Sequence, residues 1–248
     1  MKKIYQILLL ICLCVCFTGC GKTENTQREK RTTDNVEDQS TQTPKVEDQN
    51  LKLETESTGT GDNSENKSKI LIAYFTRADN IKIDPNVDAT SSASINRNGS
   101  SYKGNLTIMA DYIKDATGGD TFSILTMEYY PTKYRDSTNT AKEEQRGNAR
   151  PELSSYVENM EDYDIIFLGY PIWWGIAAWP VDNFVKGNDF TGKTVIPFCT
   201  SASSGIGQSG QLLEEMAGGG DWQDGQRFRS GASASDVQAW LEELGLVK

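Results

Sequence analysis

Three short runs of uninterrupted apolar residues constrain the fold of this chain more than any other feature. They are Ile70-Leu71-Ile72-Ala73-Tyr74-Phe75, Ile165-Ile166-Phe167-Leu168 and Val195-Ile196-Pro197-Phe198-Cys199. A strand that shows one face to water alternates apolar with polar residues. A continuous run suits a strand covered on both faces, as in a parallel sheet with helices above and below. Thr121-Phe122-Ser123-Ile124 alternates and reads as an edge strand. Pro197 lacks a ladder donor and predicts a local bulge. Helical patterns fall between the strands. Leu106, Met109, Ala110 and Ile113 share one face, stopping near Gly118-Gly119. Val181, Phe184 and Val185 share another, opened by Pro180 and closed by Gly187, and Leu212, Leu213 and Met216 mark a third that ends at Gly218. The last helix carries Val237, Trp240, Leu241 and Leu244, with Ser235 as N-cap, Gln238 three residues on and Gly245 as stop. A weaker pattern predicts a helix from Pro151 to Met160. Strands alternating with helices give an α/β domain with a doubly wound, five-stranded parallel sheet and right-handed connections.

The rest of the chain is of another kind. Residues 21–68 contain no Phe, Trp, Tyr or Ile, and their only large apolar residues are Val36, Val46, Leu51 and Leu53. Such a stretch cannot bury enough surface to offset the entropy of ordering it, so it reads as a disordered polar tether. Before it, Lys2 and Lys3 precede an apolar run from Ile7 to Phe17, followed by Thr18-Gly19-Cys20. A charged start, a short apolar core and small residues at a cleavage point make an export signal, too short to span a membrane comfortably. Phe17-Thr18-Gly19-Cys20 resembles the bacterial lipobox, which implies cleavage before Cys20 and lipidation of its thiol. The alternative is a plain signal peptide in which Cys20 is one of four leader cysteines with Cys12, Cys14 and Cys16. The expected organisation is a lipoprotein signal over 1–20, a tether over 21–68 and a folded domain over 69–248. The protein is then exported and held by its lipid on a membrane, facing outside the cytoplasm.

Composition removes several chemistries. The chain has no histidine, and beyond the leader its only cysteine is Cys199. Ser-His and Cys-His nucleophile pairs, histidine metal ligands and a disulfide framework are all excluded, which points to a borrowed cofactor and leaves carboxylate catalysis open. No metal site and no catalytic side chain are expected. A net charge of −10, spread over tether and domain, argues against nucleic acid as a partner.

In doubly wound sheets, ligands sit beyond the carboxyl ends of the strands. After the first strand come Thr76 and Arg77, then a polar segment to Lys103, then Gly104-Asn105-Leu106-Thr107 opening a helix. After the third comes Gly169-Tyr170-Pro171-Ile172-Trp173-Trp174-Gly175, and after the fourth Thr200-Ser201-Ala202-Ser203-Ser204-Gly205. Hydroxyls and backbone N–H groups at a helix start can hold a phosphate. Adjacent tryptophans in a Pro/Gly-flanked loop cannot both face the core, so one offers a flat face for stacking. A phosphate seat beside an aromatic plate describes a nucleotide or a flavin.

The segments Ile70 to Thr76, Asp162 to Gly175 and Gly192 to Thr200, with Gly118-Gly119-Asp120 and the closing Trp240 to Leu246, resemble the flavodoxin-like family of bacterial proteins. The resemblance spans nearly all of residues 69–248 and is most specific from Tyr170 to Gly175. It implies strand order 2-1-3-4-5 and noncovalently bound FMN. The phosphate would lie on Thr76, Arg77, Gly104, Asn105, Leu106 and Thr107, with flavin contacts from Pro171, Ile172, Trp173, Trp174, Gly175, Thr200, Ser201, Ala202, Ser203 and Gly205. It also implies a peptide at or near Gly175 able to turn its carbonyl towards the flavin. The family's compact phosphate loop is interrupted here, since residues 77–103 stand between Thr76 and Gly104. Asn80 offers an alternative match to the family asparagine; Asn105 is preferred because Ala110 then falls where the family's helix wants a small residue. The insertion reads either as a surface loop or as a lid over the flavin.

Trp222, Trp240 and the Tyr129-Tyr130-Tyr134 cluster read as packing, and Cys199 as a small buried residue. Two functions stay open. One is an FMN redox protein, an electron carrier or reductase, with redox proteins or a small-molecule donor and acceptor as partners. The other is a non-redox binding lipoprotein whose flavodoxin-like fold has lost FMN or holds another anionic aromatic ligand.

Overall fold

In a computed structural model, residues 68–83, 87–88, 94–98 and 100–248 are described. The expected signal, Cys20 and the tether up to residue 67 lie outside the described residues. The elements run β1 (Ile70–Tyr74), β2 (Ile95–Asn98), β3 (Ser101–Gly104), α1 (Asn105–Thr117), β4 (Asp120–Ser123), α2 (Tyr134–Arg146), β5 (Ile165–Trp173), β6 (Ile176–Ala177), α3 (Pro180–Gly187), β7 (Thr194–Thr200), α4 (Ser209–Ala217), β8 (Asp221–Trp222), β9 (Gln226–Phe228) and α5 (Ala234–Glu243).

The main sheet has order β4-β1-β5-β7, with β8 and β9 both pairing the outer side of β7. All these pairings are parallel. Counted as five main strands, with β8 and β9 as one interrupted strand, this is the flavodoxin-like order 2-1-3-4-5. The alternating strand scheme follows from residues that alternate between faces. Ile70, Ile72, Tyr74, Phe167, Ile196 and Phe198 pack on one side with Leu106, Met109 and Ile113 of α1 and Val237, Trp240 and Leu241 of α5. Leu71, Ala73, Phe75, Ile166, Leu168, Tyr170 and Val195 pack on the other with α3, Leu213 of α4 and Ala141 of α2. Both faces are covered, which is why the runs are apolar throughout. The alternating strand, β4, is an edge strand.

Three expectations are corrected. Pro197 causes no bulge on the β5 side, where the register runs unbroken from Ile165–Thr194 to Pro171–Thr200. The carbonyl of Val195 accepts from Gln223 N at 2.8 Å, so the odd-numbered residues of β7 face the fifth strand. Pro197 has no donor to offer on that side, and there the fifth strand is split into β8 and β9. The N-cap of α5 is Ser233, not Ser235, because Asp236 closes a reciprocal capping box by accepting from Ser233 N at 2.7 Å. Residues 151–159 form no helix. The helix between β4 and β5 is instead α2, which lies earlier in the chain and buries only Ser137, Ala141 and Glu144, so apolar spacing misses it.

The described part of the insertion is packed into the domain rather than lying wholly on its surface. Its beginning is a single 3-10 turn, Ala78–Asn80, and Ala78, Asn80, Ile81 and Ile95 are buried. Its end is the β2–β3 hairpin, which delivers the chain to α1.

Candidate functional site

The carboxyl ends of β1, β5 and β7 carry the site. Beyond β1, Thr76 is buried, and the hairpin returns Gly104 directly against it. A Cβ on Gly104 would lie 2.3 Å from Thr76 Oγ1 and 2.9 Å from Thr107 Oγ1, so glycine alone lets the two threonines close around this point. Thr76 and Gly104 thus meet in space although residues 77–103 separate them in sequence. From here α1 starts without a side-chain cap and without an acidic residue in its first turn. Thr107 Oγ1 is buried and has no hydrogen-bond partner; Tyr74 approaches it without completing one. An uncapped helix start with an unspent hydroxyl suits an anion. Two of the expected residues contribute less than their position promised. The N–H of Asn105 is taken by Ser94 O at 2.9 Å, and the Leu106 side chain enters the core.

Arg77 is not at this seat. Its Nε donates to Ser137 Oγ at 3.3 Å and its Nη2 to Thr132 O at 2.6 Å, while the guanidinium lies 5.5 Å from the ring centroid of Tyr134. Burial pushes its pKa down, opposed by Asp88 and Tyr134. Asn80, the alternative match, is fully occupied as a staple. It donates to Thr76 O and Ile124 O and accepts from Thr126 N at 2.8 Å, tying the ends of β1 and β4 together.

At the end of β5, Pro171, Ile172 and Trp173 belong to the strand rather than to a loop. Trp174 and Gly175 form a two-residue turn into antiparallel β6, with φ of 46° and 92°. Positive φ at both central residues is the signature of a type I′ turn, which favours Asn-Gly and is strained for tryptophan. The two tryptophans divide as expected. Trp173 is half-buried, its ring meeting Phe75, Tyr130 and Trp179 edge-on at centroid distances of 5.6, 5.7 and 5.1 Å. Trp174 is 45% exposed and stacks on Trp179 at 5.6 Å and 18°, with Lys142 Nζ standing 5.9 Å from its ring centroid.

At the end of β7, Thr200 and Ser201 are buried and Ala202, Ser203, Ser204 and Gly205 are exposed. Ser201 is held from below by Arg227, whose Nε donates to its Oγ at 2.7 Å and whose Nη2 donates to its carbonyl at 3.1 Å. Ser201 Oγ in turn donates to Ser204 O and closes the loop. The two loops abut, since a Cβ on Gly207 would lie 3.4 Å from Gly175 O. Cys199 is buried, and burial pushes its thiol up to about 12. Tyr170 is buried with its hydroxyl unpartnered, and burial drives its pKa upward.

Four residues of the site escaped sequence reasoning: Lys142, Glu144, Trp179 and Arg227. Trp179 Nε1 and Tyr130 Oη both donate to Glu144 Oε2, at 3.0 and 2.8 Å, which fixes the indole on which Trp174 stacks. The Trp179-Pro180 pair at the start of α3 was the one available signal; a polar helix gives none for Lys142 or Glu144. Between α2 and the tryptophan turn lies a cleft of about 330 Å³ whose lining includes Arg77, Tyr134, Ser137, Lys142, Trp173 and Trp174. Among the described residues, no group of His, Cys, Asp or Glu is placed to hold a metal ion.

Comparison with known proteins agrees with this architecture. Residues 99–244 match the family model described as flavodoxin. Among solved structures, a candidate flavoprotein from Bacteroides eggerthii is 29% identical with a TM-score of 0.56, over 73% of this chain and 99% of that one. A second, from Bacteroides uniformis, is 28% identical with a TM-score of 0.55, over 71% and 99%. A Lactobacillus acidophilus flavoprotein in complex with FMN is 20% identical with a TM-score of 0.48, over 70% and 98%. No curated protein matches.

Proposed function

The chain belongs to the flavodoxin family, and from that premise we propose that it is an exported, lipid-anchored protein that binds FMN and serves as an electron carrier or an FMN-dependent reductase. The observation that carries the proposal is Thr107 Oγ1, buried and unspent at an uncapped helix start, on the same sheet edge as an exposed tryptophan held at positive φ. The unspent hydroxyl serves no packing of the domain, and strain of the kind held at Trp174 collects at functional sites.

The residues present fit FMN. Thr76, Thr107 and the free amides in the first turn of α1 would hold the phosphate. The Trp174-Gly175 turn would border the ring by its backbone and indole edge, with the exposed Ala202–Gly205 segment beside it. FMN supplies one- and two-electron transfer when bound. The protein's own part is positional: Glu144 fixes Trp179, Trp179 supports Trp174, and Arg227 fixes the Ser201 loop. Electrons would pass to and from redox proteins or small molecules at this open edge, and the lipid on Cys20 would keep the domain at the membrane.

One observation favours the rival reading, a non-redox binding lipoprotein. Thr76, Gly104, Asn105 and Leu106 are all buried, so an entering phosphate must open its seat.

The deciding experiment is the visible absorption spectrum of the purified protein before and after addition of FMN and desalting. Retained, quenched flavin that Trp174→Ala abolishes supports the proposal; no flavin retained from excess FMN overturns it. Loss of membrane association in Cys20→Ala tests the anchor separately.

A further inference from the structure

The cleft between α2 and the tryptophan turn has a charge of its own. Among the described residues its lining contains two cations, Arg77 and Lys142, and no carboxylate, in a chain of net charge −10. Arg77 is 6% exposed, makes no ion pair among the described residues, and keeps Nη1 without a partner. A buried guanidinium with a donor unspent is costly, and its planar fork matches a carboxylate. Asp88 acts on Arg77 through space, but its Oδ1 accepts from Tyr134 N at 2.8 Å and it does not line the cleft.

The walls select shape. Tyr134 lies along the guanidinium, and Trp173 and Trp174 form the side facing α2. Lys142 stands over Trp174 and makes no ion pair among the described residues. At about 330 Å³ the space is at the small end of ligand pockets.

We infer that this cleft binds a small planar carboxylate, one conjugated ring in size, with its charge towards Arg77 and Lys142 and its ring against Trp174. Describing that ligand as the redox substrate rests on the FMN reading; its binding does not. The ligand would approach Trp174 from the α2 side, whereas the phosphate seat lies at the start of α1, so the two sites share a sheet edge but not their anion-binding groups.

The test is calorimetric titration of the purified full-length protein with cinnamate and with cinnamamide, its neutral counterpart, each with and without FMN. Cinnamate is expected to bind about tenfold or more tighter than the amide. Arg77→Lys keeps the charge but loses the fork and should weaken cinnamate about tenfold. Lys142→Glu, at an exposed position that folding does not depend on, should weaken it about fivefold. Equal binding of the two probes, indifference to Lys142→Glu, or no cinnamate binding overturns the inference, as does mutual displacement of cinnamate and FMN. Cinnamate bound by a protein that retains no FMN supports this inference and overturns the FMN reading. FMN retained without cinnamate binding does the reverse.

Discussion

Helices α1 and α2 are each 13 residues long and are held to the same sheet by different means. The first buries Leu106, Met109, Ala110 and Ile113, an apolar stripe worth its area in hydrophobic stabilisation. The second buries Ser137, Ala141 and Glu144 and is fastened by hydrogen bonds, with Tyr130 and Trp179 donating to Glu144 and Arg77 to Ser137. Removing water from apolar area is non-directional, so α1 fixes where the sheet is covered. Directional bonds fix where individual side chains stand, and α2 is the helix that places Trp179, Lys142 and Arg77. The scaffold helix and the site helix therefore differ in the physics that docks them.

That distinction can be broken by mutation. The largest effect is expected on α1, where Ile113→Ala should cost about 3–4 kcal/mol in transfer and cavity terms. Chemical denaturation should show a lowered midpoint with an unchanged slope. On α2, Glu144→Ala strands two buried donors and should cost about 2 kcal/mol, against about 1 kcal/mol for Glu144→Gln, which keeps an acceptor. If the alanine and glutamine variants were equally stable, α2 would be held by packing after all. Ser137→Ala removes one acceptor of Arg77 and should cost about 1 kcal/mol, with a change in Trp174 fluorescence that Ile113→Ala does not produce.

The smallest effect concerns Asp182 at the start of α3. It pairs with Arg150, yet burial outweighs the pair and raises its pKa from its ordinary value. The folded chain thus binds this proton more tightly than the unfolded chain. Its contribution is complete below the unfolded value of about 3.8 and is lost as pH rises through the raised folded value. Thermal melts of Asp182→Asn from pH 3 to pH 7 should lack this component; an unaltered profile would assign the pH dependence elsewhere.

The same contrast explains what could be read from sequence. The sheet and helices α1, α3, α4 and α5 carry apolar spacing and terminal signals, and their order followed from the chain. Helix α2 has terminal signals in Asp136, Arg146 and Gly147 but no apolar spacing, and the weaker pattern at 151–160 therefore reads as the helix in its place. For the site, position was legible and orientation was not. Trp174 was placed at the right edge, but its turn, with positive φ at both central residues, has no Asn to announce it. Adjacency places Arg77 with Thr76, yet its side chain bonds to Ser137 of α2 and to Thr132, which no apolar spacing announces. The meeting of Thr76 with Gly104 was legible only through the family resemblance, because no local rule closes a gap of that length.

The break in the fifth strand at Pro197 has a consequence for colloidal behaviour. A long, straight outer strand would present a row of free N–H and C=O groups on which another copy could pair, and further copies after it. Here that side of the sheet ends in pieces of two and three residues. Concentrated protein finds no continuous template there for fibril growth.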